Sequence, residues 1–377
     1  MAEKKTTAKN TKTTTSTTKK AASKTTAKKK TTATKASSNK VAAAKKVTSS
    51  KTDAGNKTKA AKSSKKPYGR VAVITRTKNR PILLVRAIES VVNQEYSDWL
   101  MVIVNDGGDP KPVDALVEKF KEKLDGKIHV VHNPESLGME AASNKGINSC
   151  DSEYVIIHDD DDAWHPTFLN RTVDFIENNS NYSNLGGVVT YMELVYEEIV
   201  GDNVNEIRRE GCRNWIPELT LWQMAAGNLF APISFLYKRS VYKEIGGSYR
   251  EDLPVLGDWE FNLRFMKHYD IGLIPEELSY YYHRIAGTNN QYSNTVVDGV
   301  DKHSLYNQIL RNELLREDIQ NNQIGLGYLI NQAHVMNVQH KQVQRLYHLL
   351  EQVYGRMIKY LTPIAKISRK AKFWKNK

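Results

Sequence analysis

The sequence contains little cysteine, and its first 66 residues lack both arginine and aromatic side chains. The 377 residues include only Cys150 and Cys212, which are too few for a disulfide framework and are not spaced as a zinc site. No apolar run approaches the roughly 18 residues of a membrane-spanning helix, and the N-terminus lacks the apolar core of a signal peptide. We therefore expect a cytoplasmic protein, with peripheral contact at the inner face of the membrane left open.

The first 66 residues also lack the apolar content that a folded core requires. They contain twenty lysines and two acidic residues, and Thr, Ala and Ser supply most of the remainder. Such a segment cannot bury enough apolar surface to offset the entropy lost on folding. We predict a disordered basic tail over residues 1–66, a folded domain over 67–295, a helical extension over 296–361 and a second basic tail over 362–377.

The net charge of +13 originates at the two ends of the chain. Residues 356–377 carry eight Lys or Arg and no acid, and residues 67–355 carry 27 basic against 40 acidic residues, a net charge of −13. The Lys-rich tail is suited to non-specific contact with a polyanion through counterion release. It has no aromatic residue for base stacking, so sequence-specific recognition of nucleic acid is not expected.

Short apolar runs alternate with segments of helical periodicity from residue 70 onward. Strands that alternate with helices predict βαβ units and a mostly parallel sheet flanked by helices, a Rossmann-like α/β fold. Residues 301–361 have helical periodicity, and we expect the apolar face between Val343 and Leu361 to dock on the main domain, with self-association as the alternative. The runs typical of buried strands are Val71–Thr75, Leu100–Val104, Ile128–Val131 and Tyr154–Ile157.

Polar clusters follow three of these predicted strands. They are Thr75–Asn79, Asn105–Asp109 and His158–Asp162. Because ligands of open α/β sheets bind outside the carboxyl ends of the strands, we expect the three clusters to meet at one edge. Thr75, Thr77 and Asn79 are therefore candidate ligand-binding residues.

The third cluster contains four consecutive carboxylates, Asp159 to Asp162. The apolar residues before it and Trp164 and Pro166 after it should fix its backbone. Carboxylates at positions i and i+2 suit Mg²⁺ or Mn²⁺, and a nucleotide diphosphate would complete the coordination shell. We expect the mutual repulsion of these acids to be relieved only when the cation and the diphosphate arrive. A solvated acidic loop is the alternative interpretation.

Four stretches, taken in this order and spacing, resemble the family 2 glycosyltransferases of the GT-A fold. The resemblance covers roughly residues 70–290 of the chain. It implies inverting transfer of a sugar from a nucleotide-sugar donor, UDP-linked in the first instance, to a hydroxyl of a glycan, lipid-linked or other acceptor. It also implies a divalent cofactor, Mn²⁺ or Mg²⁺. The matching stretches are Val73–Pro81, Asn105–Asp109, His158–Trp164 and Gly257–Phe265.

The resemblance further implies roles for individual residues. Asp106 matches the acid that contacts the base, Asp159 the acid that holds the ribose, and Asp161 the acid that binds the metal. Asp160 and Asp162 have the same spacing, so the register stays open by one residue. Asp160 is accordingly included among the nucleotide-sugar-binding candidates.

Asp258 matches the general base of inverting members, a role that needs a carboxylate on the acceptor side of the sugar. An acid in the first turn of a helix is also favoured by the helix macrodipole, and Glu260 is a nearby alternative. His283 stands where several members carry a histidine that approaches the metal, although a lone histidine is more often structural. Further candidates for donor or acceptor contacts are Trp215, Trp222 and Asn228.

The sequence departs from the family pattern at positions that bear on the nucleotide. The usual Asp-Asp-Gly-Ser is Asn105-Asp106-Gly107-Gly108 here, and the arginine that some members place ahead of Asn144 is missing. The identity of the nucleotide is therefore less well supported than the metal and base assignments.

Three interpretations other than a soluble transferase stay open. A nucleic-acid-associated protein could use the Lys-rich tail and keep the transferase-like domain as a scaffold. A sugar nucleotidyltransferase is disfavoured because no Gly-rich phosphate loop follows Val71–Thr75. At the C-terminus, apolar residues between Met357 and Trp374 are interleaved with Lys and Arg, a combination typical of segments at the interface of an anionic membrane. A frayed basic tail is an equal alternative.

Overall fold

The computed structural model describes residues 66–375, apart from residues 202, 215 and 285–299, and it describes side chains as far as residue 358, apart from residue 300. The predicted disordered tail covers residues 1–66, and residues 1–65 of it lie outside the described residues.

A nine-stranded sheet forms the centre of the domain. The strands are β1 Val71–Thr77, β2 Trp99–Asp106, β3 Ile128–Asn133, β4 Tyr154–Ile157, β5 Ala163–Trp164, β6 Leu185–Val200, β7 Asn203–Cys212, β8 Phe235–Lys238 and β9 Asp270–Arg284. The helices are α1 Pro81–Val92, α2 Pro110–Lys119, α3 Lys121–Leu124, α4 Met139–Ser149, α5 Phe168–Asn178, α6 Leu221–Ala226, α7 Arg239–Glu244, α8 Gly257–Met266, α9 Val300–Gln320 and α10 Leu326–Lys375.

The strand order is β3-β2-β1-β4-β8-β6-β9-β5, and β7 pairs with β6 outside this path. β3, β2, β1 and β4 are mutually parallel. β8 runs antiparallel to both β4 and β6, and β6 is parallel to β9. Most strands thus share one direction, and the predicted α/β class with a mostly parallel sheet is confirmed.

The buried strands explain why the fold forms from this sequence. Every residue of β2 and β4 is buried, as expected for strands covered by helices on both faces. α1 begins with Pro81 at its first position, where the missing N–H costs no helical hydrogen bond. Its buried face, which includes Leu84, Ile88 and Val91, packs into the same core.

The acidic run is fixed at both of its ends. β4 precedes it, and β5 follows it and pairs with β9 through Ala163 opposite Tyr280. The Trp164 ring stacks on Phe168 at a centroid distance of 4.6 Å, and its Nε1 donates to the carbonyl of Ile233 at 2.7 Å. The predicted anchoring of this segment is therefore confirmed.

The two last helices differ in how they contact the domain. α9 buries Leu310 completely and places the guanidinium of Arg311 4.8 Å from the ring centroid of Trp259. α10 instead leaves its apolar side chains exposed, with Leu350 at 61% and Tyr347 at 67% exposure. The prediction that this face docks on the main domain is therefore wrong for the residues whose side chains are described.

α10 also continues to Lys375, through the boundary that we predicted at residue 361. None of the helices in the described part of the chain combines the length and hydropathy that a membrane crossing requires.

Candidate functional site

The carboxyl ends of three parallel strands open onto one cavity. The register aligns Thr77 at the end of β1 with Asn105 near the end of β2, and β4 lies on the other side of β1. The cavity has a volume of about 220 Å³, and its lining includes Arg76, Asp106, Asp159 and Asp161. We call it the Asp106 cavity. The three polar clusters therefore meet as predicted.

Asp106 accepts four hydrogen bonds, one from the last residue of β3 and three from the loop that leads into α4. Oδ1 accepts from Asn133 Nδ2 at 2.9 Å and from the Leu137 N–H at 2.9 Å. Oδ2 accepts from Ser136 Oγ at 2.7 Å and from the Gly138 N–H at 3.1 Å. Burial alone would raise the pKa of Asp106, but these hydrogen bonds lower it. Because a carboxylate has about four acceptor sites, Asp106 is fully used in organising this loop.

The three candidates from the first cluster occupy different environments. Thr75 is completely buried in β1, and its Oγ1 has no hydrogen-bond partner within the described chain. Thr77 is buried but lines the Asp106 cavity. Asn79 has a positive φ of 54°, and its Oδ1 accepts from the backbone N–H of Asp109 at 2.9 Å. Only Thr77 of the three lines this cavity.

Arg76 in the first cluster and Arg80 directly after it form ion pairs with the first two acids of the run. Arg76 donates from Nε to Oδ1 of Asp159 at 2.9 Å. Arg80 donates from Nε to Oδ2 of Asp160 at 3.2 Å and forms a second, shorter bond to Oδ1. Burial raises the pKa of Asp160 to about 7, although Arg80 opposes this shift.

The last two acids of the run also have protein partners. Asp161 forms an ion pair with Arg284 at the end of β9, and Asp162 accepts the backbone N–H of Tyr282 at 2.9 Å. Burial opposes ionisation of Asp161, but Arg80 and Arg284 lower its pKa. Burial and the neighbouring Asp161 raise the pKa of Asp162 well above its usual value.

These pairs correct the expectation that the acids repel one another until a cation and a diphosphate arrive. Arg76, Arg80 and Arg284 already pair with the first three acids, while the charge of Asp161 still raises the pKa of Asp162. Of the four acids, Asp159 and Asp161 line the Asp106 cavity. Asp160 and Asp162 are at most 1% exposed and line neither cavity described here.

A second cavity, of about 110 Å³, adjoins the first. The two cavities share Arg76, Met139, Asp159 and Tyr281 in their linings. We call the second one the Asp258 cavity, because Asp258 lies in its wall. A molecule that filled both would extend from the loop near Asp106, past the Arg76–Asp159 pair, to Asp258.

Asp258 is oriented by two hydrogen bonds in the first turn of α8. Its Oδ1 accepts the N–H of Trp259 at 2.8 Å, and its Oδ2 accepts from Asn228 Nδ2 at 2.7 Å. Burial raises the pKa of Asp258. The alternative, Glu260, is held by Arg264 in a bond of 2.9 Å and lines neither cavity.

The candidate metal ligands do not form a complete protein site. Among the described residues, no group of three or more His, Cys, Asp or Glu is placed to hold a metal ion. The Nε2 atom of His283 is buried and has no hydrogen-bond partner among the described residues. Burial lowers the pKa of this imidazole. An ionised Asp161 and a neutral imidazole are suitable donors for Mg²⁺ or Mn²⁺, which commonly take one or two protein ligands together with substrate phosphates. Asp161 lines the Asp106 cavity, whereas His283 lines neither cavity. The donor chemistry of the two residues fits a metal shared with a diphosphate, and Asp161 is the one that stands at the cavity wall.

Four functional candidates were missed at the level of the sequence: Arg76, Arg80, Glu140 and Arg284. The three arginines could have been sought, because four adjacent acids need counter-charges. Glu140 carried no motif signal, and its position in the lining of the Asp258 cavity is a product of the fold.

The remaining guesses for donor or acceptor contacts had mixed outcomes. Asn228 contacts Asp258 as described above. Trp222 is 87% exposed, and Trp215 lies outside the described residues.

Comparison with known proteins yields one family and several relatives. The model of the family described as glycosyl transferase family 2 matches residues 72–246. An uncharacterized glycosyltransferase of Haemophilus influenzae is 26% identical over 303 residues, which cover 77% of this chain and 87% of the relative. The uncharacterized glycosyltransferase YwdF of Bacillus subtilis is 25% identical over 222 residues, 58% of this chain and 76% of the relative.

Among solved structures, that of S. aureus TarS 1–349 is similar with a TM-score of 0.45 and 18% identity. The match covers 56% of this chain and 60% of that chain, so it spans less than two thirds of its length. The family match contains Asp106 and the whole acidic run, and it ends at residue 246, before Asp258.

Proposed function

Residues 72–246 form a glycosyl transferase family 2 domain, and from this premise we propose that the protein is an inverting glycosyltransferase. It transfers a sugar from a nucleotide-sugar donor to a hydroxyl group of an acceptor. The observation that carries this proposal is the pair of adjoining cavities, one beside Asp106 and Asp161 and the other beside Asp258. A donor bound across them would place its nucleotide in the first and its sugar in the second.

The nucleotide would occupy the Asp106 cavity. In this proposal Asp159 accepts hydrogen bonds from the ribose, and the loop that Asp106 organises faces the base. Direct contact between Asp106 and the base would require one of its four present donors to give way. A UDP-linked donor is the first candidate, by the resemblance of the motifs.

Asp161, together with His283, would hold the divalent metal against the diphosphate. When bound, Mn²⁺ or Mg²⁺ would neutralise the charge that develops on the departing diphosphate. The protein residues keep Asp161 ionised and in place through Arg80 and Arg284. These arginines are also suitable partners for phosphate oxygens, because a guanidinium can donate two parallel hydrogen bonds.

Asp258 would act as the general base. It removes the proton of the acceptor hydroxyl while the acceptor oxygen forms a bond to C1 of the sugar and the bond from C1 to the diphosphate oxygen breaks. The N–H of Trp259 and the amide of Asn228 fix the orientation of the carboxylate. Attack from the face opposite the diphosphate inverts the configuration at C1.

The function is tested by incubating the full-length protein with UDP- and GDP-linked sugars and Mn²⁺, and by measuring donor hydrolysis and transfer. We expect turnover with at least one donor and its loss in Asp161→Ala. Absence of turnover with every donor, together with unchanged donor binding in Asp161→Ala, would overturn the proposal.

We also propose that α10 lies on an anionic membrane surface, where a lipid-linked acceptor would be presented. Between residues 343 and 358 the apolar side chains occupy about half of the helix circumference, and they are exposed. The 50 residues of α10 include nine Lys or Arg and a single acid, Glu351. An exposed apolar face combined with positive charge favours the interface of an anionic bilayer over pairing of two equally charged helices.

A further inference from the structure

Glu140 has a buried carboxyl group that accepts no hydrogen bond from the described residues. It lies in the first turn of α4 and is 7% exposed. Its nearest cation is Arg76, whose Nη1 lies 3.8 Å from Oε2, and no described hydrogen bond involves its side chain. Burial raises the pKa of Glu140 to about 7, against the opposing charge of Arg76 and with a further contribution from Asp258. The Glu140 oxygens are not among the fully buried, unpartnered side-chain atoms of the described residues, and the residue lines the Asp258 cavity, so a ligand in that cavity could reach the carboxyl group.

The carboxyl group of Glu140 lies directly against the start of α8. A Cβ atom built at Gly257 would be only 2.5 Å from Cδ of Glu140, so this position leaves no room for a side chain while Glu140 keeps its place. Asp258 is the next residue. The absence of a side chain at residue 257 therefore lets Glu140 and Asp258 face the same cavity.

The order of the two cavities indicates which part of a bound donor would contact Glu140. The shared wall of Arg76 and Asp159 separates the Asp106 cavity from the one that holds both Glu140 and Asp258. With the nucleotide on the first side and the general base on the second, the group attached to the diphosphate lies between Asp159 and Asp258. That group is the sugar, and its hydroxyl groups are the hydrogen-bond donors that Glu140 lacks.

We propose that Glu140 binds a hydroxyl group of the transferred sugar and thereby selects donors that carry it. This inference rests on the proposed function and deepens it. A site built around a buried hydrogen-bonding group rejects an analogue that lacks the partner, because the group is then left unpaired. Glu140 would thus be a specificity-determining residue for the sugar, with no part in nucleotide binding.

The test compares binding of free UDP and GDP with binding of the corresponding nucleotide-sugars, by calorimetry on the full-length protein with Mn²⁺. For Glu140→Ala we expect affinity for the nucleoside diphosphate to change less than about 3-fold, and affinity for the preferred nucleotide-sugar to fall about 10- to 100-fold. Glu140→Gln should retain part of the sugar affinity, because an amide still forms hydrogen bonds. Glu122→Gln, at an exposed position of α3, is the control for removal of one negative charge.

Donors with single deoxy positions provide the second measurement. The unmodified protein should discriminate against one deoxy-sugar donor, and Glu140→Ala should bind this donor and its parent with equal affinity. Equal losses for diphosphate and nucleotide-sugar, or unchanged sugar binding in Glu140→Ala, would overturn the inference. Failure of the unmodified protein to bind any nucleotide would instead contradict the proposed function, so the two failures are distinguishable.

Discussion

Arg76 donates from Nε to Oδ1 of Asp159 at 2.9 Å, and this pair forms the wall that the two cavities share. The same guanidinium lies 3.8 Å from Glu140. A donor that crosses the wall must therefore pass a cation that is already shared between two carboxylates. Glu140 lies on the Asp258 side of this wall and does not line the Asp106 cavity, so a nucleotide confined to the Asp106 cavity would not contact it.

The register of the acidic run can be tested with two amide substitutions. Asp161→Asn should lower the affinity for a nucleoside diphosphate with Mn²⁺ by about 10- to 100-fold, because an ionised ligand is lost. Asp162→Asn should change this affinity less than about 3-fold, since Asp162 does not line the Asp106 cavity and the amide oxygen of the variant can still accept the Tyr282 N–H. Thermal shift with and without Mn²⁺ measures both. The opposite ranking would show that the register is displaced by one residue.

The role of Asp258 as the general base is tested by measuring kcat of variants at this position and at Glu260. Asp258→Asn should lower kcat by about 10²- to 10⁴-fold with little change in donor KM, because the acceptor proton has no base to receive it. Since burial raises the pKa of Asp258, the acid limb of the pH–rate profile should lie above the usual range of aspartate. Glu260→Gln is the matched comparison, and a larger kcat loss there than in Asp258→Asn would transfer the role to Glu260.

The pH dependence of stability should report the buried Glu140. Its pKa is about 7 in the folded protein against a usual 4.5, so the folded state binds the proton more tightly. Ionisation of Glu140 therefore lowers the free energy of unfolding as the pH rises from about 4.5 to 7. Between pH 5 and pH 8 the unmodified protein should lose about 2 kcal/mol of unfolding free energy relative to Glu140→Gln.

Urea unfolding of the two proteins at both pH values measures this difference. A constant difference between them across that range would mean that Glu140 titrates normally and is not buried as described.

The close approach at Gly257 predicts that Gly257→Ala displaces Glu140. Nucleotide-sugar affinity should fall about as much as in Glu140→Ala, with affinity for the nucleoside diphosphate retained. The variant that combines Gly257→Ala with Glu140→Ala should bind the nucleotide-sugar no more weakly than either single variant does, because both changes remove the same contact. Calorimetry of the three proteins completes the cycle, and additive losses would show that the two residues act independently.

Membrane contact by α10 is tested with vesicles of anionic or neutral phospholipid. Leu346→Glu with Leu350→Glu places two charges on the exposed apolar face and should reduce co-sedimentation with anionic vesicles at least about 10-fold. Gln344→Glu with His348→Glu adds the same acidic groups to the opposite side of the helix and should have a smaller effect. Binding that both double variants lose equally would contradict a role for the apolar face.

The mass of the protein in solution, measured by light scattering, separates this proposal from self-association. A stable oligomer that the Leu346→Glu, Leu350→Glu variant alone disrupts would assign the face to a second copy of the chain instead.

Local sequence patterns determined much of the framework. Apolar runs such as Leu100–Val104 form strands because only a sheet covered on both faces buries every side chain of such a run. The alternation of strands and helices then places the strand ends at one edge of the sheet. For this reason the sequence pattern alone predicts that Asp106, Asp159 and Asp161 lie near one another. β9 begins at Asp270, and its beginning does not follow from the apolar pattern, because Pro275 and charged residues interrupt the apolar run.

Only the tertiary structure decided which charges meet. Arg284 reaches Asp161 across 123 positions of the chain and Arg76 reaches Asp159 across 83, and periodicity carries no information about partners at such separations. The same holds for Glu140 against Gly257, and for the exposed face of α10, whose pattern predicts an apolar surface but not what covers it. The sequence thus determined where carboxylates stand along the strands, because strand period and burial are local. Their ionisation and partners depend on burial and charge brought together from distant segments, so they follow only from the folded chain.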